Sequence, residues 1–168
     1  MSKTIEDLKA AFAGESQANR RYLAFAKKAE EDGYPQVARL FRAVAHAETI
    51  HALSHLRAMD AVGSTADNLR AAINGENHEV VEMYPPFMQD AEADGDKRAY
   101  RSFERAWEVE KVHEKLYCEL LEMLLAGSAP EESYDYYVCP VCGYTHKRSA
   151  PDRCPVCGAP GSRFEVIG

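Results

Sequence analysis

The chain has 168 residues, 46% of them hydrophobic, enough for one domain of ordinary size, or one with a small appendage, built around a real core. Its net charge of −7 argues against a nucleic acid or an anionic membrane as partner. No apolar run approaches 18 residues and the start Met-Ser-Lys-Thr-Ile-Glu-Asp lacks a secretory core, so a cytoplasmic protein is expected.

A first helix is predicted from about Thr4, whose hydroxyl and Asp7 resemble a capping box, to Asp32-Gly33, where glycine can take the left-handed stop. Pro35 suits the first turn of a second helix ending near Gly63. After a polar connection, Ser64 to Asn68, a third helix is expected over Leu69 to Met83. Pro85-Pro86 should kink or interrupt it before Phe87 to Glu92 resume and Gly95 closes it. A fourth spans roughly Lys97 to Ala126.

These helices carry an internal duplication. The octapeptide Leu8-Lys-Ala-Ala-Phe-Ala-Gly-Glu15 recurs as Leu69-Arg-Ala-Ala-Ile-Asn-Gly-Glu76, and each is followed by a Glu-x-x-His: Glu48-Thr-Ile-His51 and Glu110-Lys-Val-His113. Positions i and i+3 share a helix face, so each Glu-x-x-His can aim a carboxylate and an imidazole at one point. A Glu from each of two helices plus Glu-x-x-His from the other two is the inward ligand set of a di-iron or di-manganese bundle. Solvated helix faces also carry Glu and His. Here, however, the acids sit among apolar neighbours: Leu8, Phe12, Tyr22 and Ala26 flank Glu15, and Phe103, Trp107, Tyr117 and Leu121 flank Glu110 and His113. Buried carboxylates without counter-ions are costly or become protonated, and a pair of metal cations removes the penalty. Gly14 and Gly75, mid-helix before Glu15 and Glu76, suggest a close helix approach or room for ligand and metal, the alternative being a relic of the duplication.

The composition changes at Gly127. Residues 1–127 form the bundle, 128–133 a linker, and 134–168 a second small domain rich in Pro, Gly, Tyr and Cys. Four of the five cysteines lie there, in Cys139-Pro-Val-Cys142-Gly and Cys154-Pro-Val-Cys157-Gly. In the expected compartment such pairs read as metal ligands. So short a segment needs a tetrathiolate metal to hold it. Zinc and iron both suit four sulfurs, and a structural zinc ribbon is the plainer reading. A redox di-metal partner needs an electron supply, which favours iron. Tyr136, Tyr137, Tyr144 and Phe164 are expected to pack around it. Cys118 is expected to pack as a small apolar residue, with His46, His55 and His78 off the motif.

Gly-Glu76-Asn-His-Glu79-x-x-Glu-Met-Tyr84-Pro, the two Glu-x-x-His motifs and the two Cys-Pro-Val-Cys-Gly knuckles together make the chain resemble the rubrerythrins, over both domains and in order. The resemblance implies a mainly α fold, a four-helix ferritin-like bundle followed by a small β-rich rubredoxin-like domain. It places Glu15, Glu48, His51, Glu76, Glu79, Glu110 and His113 on the di-iron ligands and Cys139, Cys142, Cys154 and Cys157 on those of a mononuclear iron. It also implies that one iron shifts between Glu79 when oxidised and His51 when reduced; the duplicate position after Glu15 is Ala18, so only one iron has that option. Tyr22 and Tyr84 match tyrosines that hydrogen-bond ligand carboxylates.

The expected function is therefore a non-haem iron peroxidase reducing hydrogen peroxide to water and protecting against oxidative stress. Its electrons would come from NAD(P)H through a separate reductase or rubredoxin, since the chain has no Gly-x-Gly-x-x-Gly and no bound nucleotide is expected. Resemblance further implies a homodimer in which one subunit's tail serves the other's bundle. A ferroxidase or iron-storage protein would share the bundle without requiring the tail, and a zinc-ribbon interaction protein would share the knuckles without explaining the acids.

Overall fold

The structure is a computed structural model that describes residues 2–128 and 133–168. Most of the expected linker, 129–132, lies outside the described residues. The fold is mainly α, with a small three-stranded antiparallel sheet near the C-terminus. By packing, the chain divides into two compact units, Met1–Gly63 and Ser64–Gly168.

The first unit is an antiparallel pair, α1 (Lys3–Glu31) and α2 (Pro35–Ala58). The cap of α1 is Ser2, whose hydroxyl accepts from the Ile5 amide, rather than Thr4, which is already helical. Gly33, at φ 81°, makes the turn and Pro35 opens α2. That helix stops at Ala58, earlier than Gly63, because Asp60 takes φ 51°. Small residues let the two backbones approach: Ala18, Ala26, Ala29, Ala38, Ala45 and Ala52 are buried, with the side chain of Asn19 among them. Asn19 Nδ2 donates to the Ala45 carbonyl at 2.7 Å and to Thr49 Oγ1 at 2.8 Å, pinning the helices in register. Two helices cannot bury a large apolar face by themselves, and Val37, Leu40, Ile50 and Leu53 remain 45 to 62% exposed.

The second unit begins one residue after Gly63 with α3 (Thr65–His78), capped by the Ser64 hydroxyl, which accepts from the Asp67 amide at 3.2 Å. The stretch expected to be a polar connection is thus the helix's own cap and first turn. A π-helical turn, Glu79–Met83, then passes into α4 (Tyr84–Ala93), and α5 (Lys97–Leu125) follows Gly95. The prolines explain the π turn. Pro85 has no N–H, and the Tyr84 amide donates back to Glu79, so the Val80 carbonyl has no backbone donor in the ordinary place. The Trp107 indole N–H of α5 donates to it at 2.8 Å.

The cysteine domain packs on α5 within this unit. Its sheet runs β2 (Thr145–Lys147), β1 (Tyr136–Val138), β3 (Glu165–Ile167), with Tyr137 opposite His146 and Val166. Tyr137, Tyr144 and Phe164 pack around Cys139 and Cys154 as expected. Tyr136 does not, because neighbouring strand residues point to opposite faces. Its ring lies 5.4 Å from that of Tyr134, tilted by 55°, and it lines a cavity with His113 and Tyr117 of α5. Val109 of α5, only 1% exposed, lies under Gly143, and Lys147 pairs with Glu119 at 2.6 Å. Among the described residues no helix is long and apolar enough to cross a membrane.

Candidate metal centres

Three ligand clusters lie in the described chain. In the first unit, Glu15 of α1 meets Glu48 and His51 of α2, with one ligand atom from each within 4.8 Å of the others. His51 Nδ1 is 3.0 Å from Glu48 Oε2, the one-turn contact that the i, i+3 spacing predicts. In the second unit, Glu76 of α3 meets Glu110 and His113 of α5 at the same closeness, and His113 Nδ1 is 2.7 Å from Glu110 Oε2. The duplication in sequence is thus a duplication in space, one Glu, Glu, His triad per helix pair.

The triads differ in surroundings. Glu76 is pushed up to about 7, first by burial and then by the neighbouring charge of Glu110. Burial followed by Glu110 also raises Glu79, and His113 is raised by its bond to Glu110. Three carboxylates facing one another in a partly desolvated place call for a cation, and mixed carboxylate and imidazole donors suit iron or manganese. Glu79 stands beside this triad, held by the π turn. The second unit also brings Tyr84 to it: burial, then the charges of Glu79, Glu110 and Glu76, raise the phenol, which keeps its proton and can donate it in a hydrogen bond. Within the first unit Tyr22 instead makes ring contacts, at 6.3 Å with Phe25 and 6.1 Å with Phe41. A side chain added at Gly14 or Gly75 would meet nothing within 4 Å among the described residues, so no close helix approach in either unit explains them. His78 forms an exposed pair with Glu82, and Cys118 is half-buried in α5.

The third cluster is Cys139, Cys142, Cys154 and Cys157. Each pair sits on the same knuckle. The Cys139 amide donates to the Tyr144 carbonyl and Gly143 N–H to Cys139, and the second knuckle repeats this with Cys154, Ala159 and Gly158. Gly143 and Gly158 take φ 85° and 76°, a conformation that costs other residues dearly. Sulfur separations are 3.6 Å for Cys139 and Cys157 and 3.5 Å for Cys142 and Cys154. Tetrahedral bonds of about 2.3 Å place sulfurs about 3.8 Å apart, so the four thiols are spaced for one metal. Burial alone would push the Cys139 thiol up, but the amides of Val141 and Cys142 aimed at its sulfur bring it down to about 7.

The Rubrerythrin family model matches residues 6–121, and that of the Rubrerythrin, rubredoxin-like domain matches 137–165. This chain belongs to the rubrerythrin family. It is 37% identical to rubrerythrin-2 of Clostridium acetobutylicum, over 98% of this chain and 96% of that one. It is 38% identical to the rubrerythrin of Porphyromonas gingivalis, over 99% and 90%. Nigerythrin of Nitratidesulfovibrio vulgaris is 37% identical over 98% and 86%. The solved structure of fully reduced, all-ferrous nigerythrin superposes with a TM-score of 0.59 at 35% identity, covering 99% of this chain and 88% of that one.

As a rubrerythrin, the chain is a di-iron and rubredoxin-like protein of an oxidoreductase family associated with oxidative stress. Its cofactors are a di-iron centre, for which the Glu and His groups stand ready, and one rubredoxin-type iron, for which the four cysteines do.

The sequence reading missed Thr145. Its hydroxyl, on β2, lies 3.0 Å from His113 Nε2 and so joins the cysteine domain to a candidate di-iron ligand of the same chain. The cysteine domain rests on α5 of its own chain, where Lys147 also pairs with Glu119. A lone threonine after a Cys-x-x-Cys-Gly carries no signal of this; the contact depends on how the knuckle lands on the helix.

Proposed function

We propose that this rubrerythrin is a peroxidase that reduces hydrogen peroxide to water, in the cytoplasm, with electrons relayed through its rubredoxin-type iron from a rubredoxin or an NAD(P)H-linked reductase. The observation that supports the reading is the pair of matched Glu, Glu, His triads in a chain whose cysteine domain, with four thiols gathered, touches His113 of one triad through Thr145. Glu15, Glu48, His51, Glu76, Glu110 and His113 hold the di-iron centre, and Cys139, Cys142, Cys154 and Cys157 the mononuclear one. When bound, the iron pair supplies the two electrons that, with two protons, turn one peroxide into two waters, and the tetrathiolate iron supplies their replacements singly.

The remaining chemistry belongs to the side chains. Glu79 and His51 act as alternative ligands: an anionic carboxylate matches the higher charge of ferric iron, and a neutral imidazole suits ferrous iron. Tyr84 keeps its phenolic proton and steadies the carboxylates of α3 and α5 by hydrogen bonding, and Tyr22 is a second donor to a ligand carboxylate. We also propose the division at 128–133 into bundle and tail, and a homodimer, supported by the exposed Val37, Leu40, Ile50 and Leu53 of the first unit.

Cys142→Ser separates the two roles. In the iron-loaded, chemically reduced variant, one equivalent of peroxide should still oxidise the di-iron centre in a stopped-flow experiment, while turnover coupled to NAD(P)H and a reductase collapses. Wild-type coupled turnover in the variant would remove the relay role from the four cysteines, and a reduced protein inert to peroxide would remove the peroxidase reading itself.

A further inference from the structure

A basic groove runs along the start of α5 and ends at the first knuckle. Arg98, Arg101 and Arg105 recur at i, i+3 and i+7, one helical stripe, with Lys97 beside them. They form one wall of an open groove of about 640 Å³ whose other wall is Val141 and Cys142. All four cations are exposed, and among the described residues none of them is paired with a carboxylate. In a chain of net charge −7 this is a local reversal of sign. The positive face has an edge: beyond Arg101 and Arg105 the adjoining groove carries Glu104 and Glu108.

The groove combines three features of a transient electron-transfer interface. Charge borders an apolar surface, since Val141 of the knuckle, 42% exposed, lines the groove opposite the cations. The charge is unpaired, so it projects a field that steers an oppositely charged body. A half-buried cysteine of the tetrathiolate cluster, Cys142, lines the groove wall, so a molecule seated there comes against the cluster. Electron count narrows the occupant. One iron held by four thiolates takes one electron per cycle, ferric to ferrous, and its donor must give one. A nicotinamide gives a hydride, two electrons together, and so cannot be the direct donor.

We propose that the groove formed by Lys97, Arg98, Arg101, Arg105, Val141 and Cys142 is the docking surface for a small acidic one-electron carrier protein that serves the tetrathiolate iron. The proposal rests on the peroxidase reading for the need of a donor, but the surface itself is tested by association alone. Cations of the stripe meet carboxylates around the carrier's exposed prosthetic group, Val141 meets its apolar rim, and the carrier is oxidised by one electron on leaving.

The test uses the iron-loaded full chain and, as probe, a dye-labelled acidic rubredoxin, with binding followed by fluorescence anisotropy. Wild type should bind at low ionic strength, and raising salt from about 20 to about 200 mM should weaken binding at least about tenfold, because the contact is exposed and screened. Arg101→Glu with Arg105→Glu should weaken it by about tenfold or more, within the range that such steering spans. Arg101→Lys with Arg105→Lys should retain it. Val141→Glu, on the opposite wall, should act like the charge reversal and stands in if the double variant loses its thiolate-to-iron absorption. A wild type that fails to bind, a salt-insensitive affinity, or charge reversal without effect would overturn the proposal, as would a short DNA duplex competing as well as the acidic protein. The peroxidase reading is checked apart from this: the chemically reduced charge-reversed protein should still be oxidised by one peroxide at the wild-type rate.

Discussion

Thr145 holds the ring of His113 from across the boundary between the cysteine domain and α5: its Oγ1 lies 3.0 Å from His113 Nε2 and 3.1 Å from the Gly143 carbonyl. The hydroxyl has one proton and gives it to the carbonyl, so His113 donates from Nε2. Nε2–H is thereby held by Thr145, and Nδ1, which faces Glu110, is the nitrogen that would bind a metal once it gives up the proton it shares with that carboxylate.

Thr145→Val keeps the shape of the side chain and removes the acceptor. The affinity of the di-iron site for ferrous iron should fall by roughly 10- to 100-fold, the usual cost of losing such a partner, while Thr145→Ser stays near wild type. Anaerobic iron titration reads this directly; equal affinity in all three proteins would reduce the contact to packing.

Metal-free protein should lose stability as pH rises. Glu76 is at about 7 in the folded chain against an ordinary 4.5, so the fold binds its proton more tightly than the unfolded chain does. That contribution is complete below 4.5 and is lost as pH climbs through about 7. His113, also raised, loses its stabilising proton in the same direction. Thermal midpoints should therefore drop between about pH 5 and pH 8, more steeply in wild type than in Glu76→Gln, and bound iron should flatten the slope. Parallel slopes for the two proteins would count against the buried carboxylate as the cause.

Trp107→Phe should cost about 1 to 3 kcal/mol in urea unfolding, because the Val80 carbonyl loses its donor at a place where Pro85 cannot provide one. The ring volume is largely kept, so a loss below about 0.5 kcal/mol, a typical surface substitution, would mean that water replaces the indole there.

Glu79→Ala should leave ferrous binding nearly intact, with His51 as the proposed alternative ligand, and weaken the ferric form. Losing an anionic ligand raises the reduction potential, and a tenfold loss of ferric affinity corresponds to about 59 mV for a one-electron couple. A spectroelectrochemical titration with an unchanged potential would dismiss the exchange of ligands.

The sequence by itself determined what depends on local spacing. Helical periodicity set Glu48 with His51 and Glu110 with His113 on common faces, the duplication announced two equivalent triads, and Cys-x-x-Cys-Gly encoded knuckles whose glycines adopt positive φ. Within each Glu-x-x-His and each knuckle the relation spans about a turn of chain, so backbone geometry fixes it. Helix starts were less legible, since Ser2 and Ser64 compete with equally good caps at Thr4 and in 65–68, and only the formed helix shows which hydroxyl meets an amide. What the tertiary structure alone decided are meetings across long stretches of chain, where no periodicity operates. Asn19 reaches Ala45, the Trp107 indole answers a carbonyl orphaned by a proline, Tyr136 turns to α5 rather than to the cysteines, and Thr145 finds His113. Each depends on how one finished element rests on another, which burial of apolar surface and satisfaction of polar groups settle together only after the local pieces have formed.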